Sequence, residues 1–128
     1  MKNFFFAIAA LMLLASPVSA DIGQYCTATG ALAISSTCTI TDNSNLNWVS
    51  LKLSAAASTS ENVTVTLDSA NGAAYDVILV AFDPSTLGGT SFVWVPDYVV
   101  TLGKGDKIVV TYTNTDARTY GLQVRYSL

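Results

Sequence analysis

The stretch GDKIVVTYTNTDARTYGLQVRY, from Gly105 to Tyr126, decides the fold class. Ile108, Val110 and Tyr112 alternate with Val109, Thr111 and Thr113. Tyr120, Leu122, Val124 and Tyr126 alternate with Thr119, Gly121, Gln123 and Arg125. Alternation with period two sets one apolar face against a more polar one, as a half-buried strand requires. The Val and Thr content suits a pleated surface better than a helix. Between the two runs, Asn114-Thr115-Asp116-Ala117 carries turn chemistry.

The same pattern extends upstream. Gly103-Lys104-Gly105-Asp106 separates two strand-like runs and predicts a tight hairpin, because glycine accepts positive φ without steric cost. Val49, Leu51 and Leu53 alternate with Trp48, Ser50 and Lys52, and Val63, Val65 and Leu67 with Asn62, Thr64 and Thr66. Phe92 to Val95 forms a shorter strand stopped by Pro96, Tyr98 to Leu102 another, and Ala31 to Ile40 one or two around Cys38. DVILVAF, Asp76 to Phe82, is apolar on both faces and predicts a central strand covered on both sides. Asp83-Pro84-Ser85-Thr86 starts a turn that Gly88-Gly89 loosens, and Ser54 to Ser60 is small and polar, a connection. Seven to nine short antiparallel strands at regular spacing, with no amphipathic helix after residue 20, predict an all-β chain. The expected architecture is a single β-sandwich of jelly-roll type.

The first twenty residues differ in kind. Lys2 is followed by an apolar run from Phe4 to Ala15, then by the small-residue end Val18-Ser19-Ala20. Twelve residues at about 1.5 Å each reach roughly 18 Å, too short for a hydrocarbon core of about 30 Å. A signal peptide over residues 1–20, cleaved after Ala20, is the expected reading, with one domain over residues 21–128 and no stable membrane span after cleavage. The expected location is secreted or at a cell surface. Cys26 and Cys38 fit that compartment. Further soft or imidazole ligands for a metal pair are missing and the spacing is wrong for a redox pair, so a disulfide is expected. In the chain-entropy account a loop of this size stabilises a fold by roughly 3 kcal/mol.

Composition removes several function classes. The protein carries nine acidic and six basic residues for a net charge of −3, and no histidine. Nucleic acid is an unexpected partner, because phosphate-backbone binding needs a basic patch. Without histidine there is no Ser-His-Asp triad, no His-activated cysteine and no histidine metal site. Glu61 is the only glutamate, and Asp68 with Asp76, or Asp97 with Asp106, are the conceivable carboxylate pairs; turn aspartates usually bond backbone instead. No phosphate-cradling glycine motif is present. No catalytic residue, cofactor or metal is expected. The oxygen-rich stretch Asp42-Asn43-Ser44-Asn45 matches no calcium-loop spacing and reads as a polar turn. The remaining candidates are aromatic: Trp48, Tyr75, Trp94 and Tyr98, rings suited to stacking on sugars or anchoring a partner where they face outward, and to core or rim packing where they do not.

ENVTVTLDSANGAAYDVILVAFD (Glu61 to Asp83), VWVPD (Val93 to Asp97) and the Gly105–Tyr126 stretch resemble small β-sandwich proteins encoded by tailed bacteriophages and viral metagenomes. The resemblance covers roughly the last two-thirds of the chain. It implies a structural or virion-associated role and brings no active site with it. The sequence departs from that family at its start, where a leader and a cysteine pair suit export rather than assembly in a reducing cytoplasm. The expectation is therefore an exported, non-catalytic protein with a structural, assembly or adhesion role, partnered by itself or by a surface glycan or protein. A carbohydrate-binding module and a phage virion structural protein are the alternatives.

Overall fold

The computed structural model describes residues 23–128, so the leader and its cleavage site lie outside the described residues. Nine strands follow one another: β1 (Gly23–Gly30), β2 (Ile34–Thr39), β3 (Ser44–Leu53), β4 (Val63–Asp68), β5 (Val77–Phe82), β6 (Ser91–Trp94), β7 (Val100–Leu102), β8 (Lys107–Tyr112) and β9 (Tyr120–Ser127). A 3₁₀ turn (Ala73–Tyr75) and a one-turn helix, α1 (Pro84–Leu87), are the helical pieces among the described residues. Neither is long and apolar enough to cross a membrane.

The strands form two antiparallel sheets. One runs β1-β9-β3-β6, with β7 also paired to β3; the other runs β2-β8-β4-β5. β6 pairs with Val49–Lys52 of β3 and β7 with Ser44–Leu46, so the two short strands are one broken strand. Pro96 lies in the break, where a residue without an N–H cannot continue the ladder. Counted so, the order is that of an eight-stranded jelly roll with two Greek keys. Only the β4–β5 and β6–β7 connections stay within one sheet.

That topology corrects the expectation of a hairpin. The Gly103–Asp106 turn links β7 to β8, which belong to different sheets, so it is a crossing and not a hairpin. Gly105 does adopt a positive φ of 92°, and its N–H donates to the Ile40 carbonyl. The Asn114–Ala117 turn likewise carries the chain from β8 to β9 across the sandwich. Asn114 there is buried with φ 53°; its amide donates to the Leu32 and Arg118 carbonyls and accepts from the Arg118 N–H.

The inner faces follow the alternation. Val49, Leu51 and Leu53 meet Leu122 and Val124 on one sheet, and Val63 and Val65 meet Ile108, Val110 and Tyr112 on the other, all buried. At about 25 cal/mol per Å² of apolar surface, this interdigitated layer supplies the dominant favourable term. Cys26 on β1 and Cys38 on β2 form a disulfide, with 5.6 Å between their Cα atoms, that staples the two sheets along one side.

Candidate functional site

Each sheet of a sandwich has two edge strands, and here the two sides of the molecule are unlike. On the stapled side, β1 and β2 (GQYCTATG and ISSTCT) are rich in Ser, Thr and Gly. On the far side, β5 and β6 (VILVAF and SFVW) carry no charge. The rings of Phe82 and Phe92, 5.7 Å apart, join the two strands across the sandwich. Outside those rings lies an apolar groove of about 230 Å³ lined by Val80, Phe82, Leu87, Phe92, Val93 and Trp94.

β5 corrects the expectation of a central strand covered on both sides. It is the edge strand of its sheet, and only one of its faces meets the core. Ile78 is 66% exposed and Val77 49%, and on β6 Val93 is 67% exposed. The physical reason is simple. A strand in a two-layer sandwich has one core face, and no element among the described residues is left to cover the other. A β-bulge between Val65 and Thr66 of β4 shifts the register against Val80 and Ile78 and leaves Leu79 as the extra residue.

The aromatic candidates are not brought together. Trp48 lies on the outer face of the five-stranded sheet, registered with Arg125, because a bulge at Asn47 precedes it. Trp94 pairs with the inward-facing Val49 and packs against the core while lining the groove. Tyr75 and Tyr98 are both 65% exposed, the first in the 3₁₀ turn before β5 and the second in the β6–β7 break. Trp48 instead meets Tyr25, with ring centroids 6.5 Å apart in an edge-on arrangement. Tyr25 was not legible as a partner, because alternation gives the face of a residue and not the order of the strands.

The carboxylates work on backbone. Asp106, buried, accepts from the Ala70 and Gly103 N–H groups and so ties the β4–β5 loop to the β7–β8 turn. Asp83 caps α1 by accepting from the Ser85 N–H; hydrogen bonds from the Ser60 and Ser85 side chains hold its carboxyl below the usual range. Asp76 accepts from the Ser69 N–H, and Asp68 pairs with Lys107 at 3.4 Å. In the Asp42–Asn45 stretch, the Asn43 side-chain oxygen accepts from the Lys104 N–H. No group of three or more His, Cys, Asp or Glu is placed to hold a metal among the described residues.

The sequence matches no protein-family model and no curated protein. The reading of function therefore rests on the geometry.

Proposed function

We propose that this chain is a non-catalytic structural module that assembles outside the cytoplasm, joining further copies of itself through the open β5/β6 edge. The carrying observation is the apolar, uncharged edge strand β5, where Ile78 on the outer face and Val77 at the strand's start stand exposed beside unpaired backbone groups. An edge strand without lysine, proline or an inward charge is a template for pairing with another strand. A second copy is the occupant this chemistry fits. Antiparallel pairing of β5 with itself sets apolar residues against apolar residues, with no charge inside the strand to oppose its twin. The flanking carboxylates of Asp76 and Asp83 are already engaged by Ser69, Ser60 and Ser85 of their own copy.

The disulfide supports the extracellular part of the reading, since such bonds persist in oxidising compartments. Intact mass with and without reductant addresses that part directly. A mass starting at Asp21 that gains two hydrogen atoms on reduction supports export. One that keeps Met1 with free thiols moves the virion structural role, implied by the resemblance, to first place.

Assembly is tested by sedimentation velocity of residues 21–128 over a wide concentration range, with Ile78→Lys alongside. The expected result is concentration-dependent association in the native protein and a monomer in the variant, with matching far-UV spectra. A native protein that stays monomeric, or a variant that assembles equally well, overturns the proposal.

A further inference from the structure

The outer face of the five-stranded sheet carries a second surface, on the opposite face of the sheet from the core and independent of the β5/β6 assembly. Residues Tyr25, Arg125 and Trp48 form one row across β1, β9 and β3. They face outward because Cys26, Val124 and Val49, next along each strand, face in. The guanidinium carbon of Arg125 lies 5.4 Å from the centre of the Tyr25 ring, whose other neighbour is the edge-on Trp48.

Gly23 makes this arrangement possible. A Cβ at that position would come within 2.9 Å of Arg125 Nη2 and 3.0 Å of Nε. Only a residue without a side chain lets the guanidinium lie flat against β1. The Arg125 side chain nevertheless makes no hydrogen bond or ion pair among the described residues, and its Nε is shielded from solvent without a partner. A planar cation set over an aromatic ring, with its fork uncommitted among the described residues, is prepared for an anion.

The surroundings say which kind of anion. The next row along the sheet is Thr27, Gln123 and Ser50, an amide between two hydroxyls, and the row after it includes Lys52. No Asp or Glu lies on β1, β3, β6, β7 or β9, although the chain as a whole is acidic. Among the described residues the carboxylates are kept to the loops and to the other sheet. Two cations are too few for a phosphate backbone, which rewards many charge contacts. Rings, amide, hydroxyls and one arginine fork match a sugar that carries a carboxylate. Its apolar face stacks on one ring of the pair, its hydroxyls meet Gln123, Thr27 and Ser50, and its carboxylate takes the fork.

We infer that the Tyr25–Arg125–Trp48 row is a binding site for acidic polysaccharide, recognising a uronic- or sialic-acid unit. Copies assembled through the far edge would present this site repeatedly, so weak single sites add by avidity.

The probes are oligogalacturonate and polysialic acid, with dextran as neutral control and dextran sulfate and polyglutamate as charge controls. Binding is read by calorimetry and by Trp fluorescence, because Trp48 sits in the site. Native protein is expected to bind at least one carboxylated sugar with a fluorescence change, and to bind each control at least tenfold more weakly. Arg125→Gln and Arg125→Lys are each expected to lose tenfold or more, the lysine variant because it keeps the charge and loses the fork. Gly23→Ala displaces only the far end of a flexible side chain, so it is expected to fold normally and still weaken binding severalfold. The inference is overturned if neither carboxylated sugar binds, if dextran sulfate or polyglutamate binds as tightly, or if Arg125→Lys binds like the native protein. Ile78→Lys is expected to leave single-site affinity unchanged, so failure here and failure of the assembly reading are separable.

Discussion

Asp116 shows how much of the fold depends on single loop carboxylates. It accepts from the Ser58 N–H at 2.5 Å, the Thr59 Oγ1 at 2.7 Å, the Ser58 Oγ at 2.9 Å and the Thr59 N–H at 3.2 Å. The Ser58 N–H first, then the Thr59 side chain and N–H, hold its carboxyl far below the usual range. A depressed carboxylate stabilises the fold fully above its unfolded value near 4, and that stabilisation is lost as pH falls toward the folded value. Asp116→Asn is thus expected to lower Tm at pH 7, with the gap to native protein narrowing as pH drops below 4. Melts between pH 7 and pH 2 check this; a pH-independent gap contradicts it. Tyr112 is the opposite case. It is buried, its hydroxyl has no partner among the described residues, and burial raises its pKa. Removing an unsatisfied buried hydroxyl is neutral or stabilising by up to about 1 kcal/mol, so Tyr112→Phe is expected to hold or raise Tm. It is also expected to lessen the loss of stability as pH rises past about 10, measured by denaturant titration at pH 7 and pH 10.5. The turn role of these aspartates is legible from residue type; their partners, more than fifty residues away for Asp116, are not.

At the scale of elements, strands with a clean apolar face were readable, and those without one were not. β8 and β9 bury the alternate residues that their sequences mark. β1 was missed because its inward residues, Cys26 and Ala28, are too small to announce a face. β5 was recognised as a strand and misplaced as central, since a run apolar on both faces reads alike whether the second face is covered by its own chain or left open. β1 is an edge strand joined to the opposite sheet's edge by the Cys26–Cys38 bond and the loop to β2, so the disulfide bears directly on it. Cys26→Ser with Cys38→Ser is expected to cost roughly 3 kcal/mol on the chain-entropy account. Urea unfolding measures it; a difference below about 1 kcal/mol would mean that β1 and β2 are held by pairing alone.

For the whole molecule, the number of layers decides what is covered. A jelly roll of two sheets has one core, and with no helix among the described residues long enough to add a third layer the outer faces are left bare. Ser and Thr recur on the outer strand faces, where water satisfies them. β5 and its neighbour β6 are edge strands without charge that expose Ile78 and Val93, and jelly-roll crossing places both on the same side, opposite the disulfide. The alternation could predict the sandwich but not this coincidence, because strand order depends on crossings that no local pattern encodes. The central claim is that this side is where copies of the chain meet. Hydrogen exchange by mass spectrometry on residues 21–128, dilute and concentrated, tests it most directly. Amides of residues 77–82 are expected to slow markedly on concentration, those of β1 and β2 to stay unchanged, and the slowing to vanish in Ile78→Lys. Exchange in residues 77–82 that is equally fast at both concentrations would contradict the account.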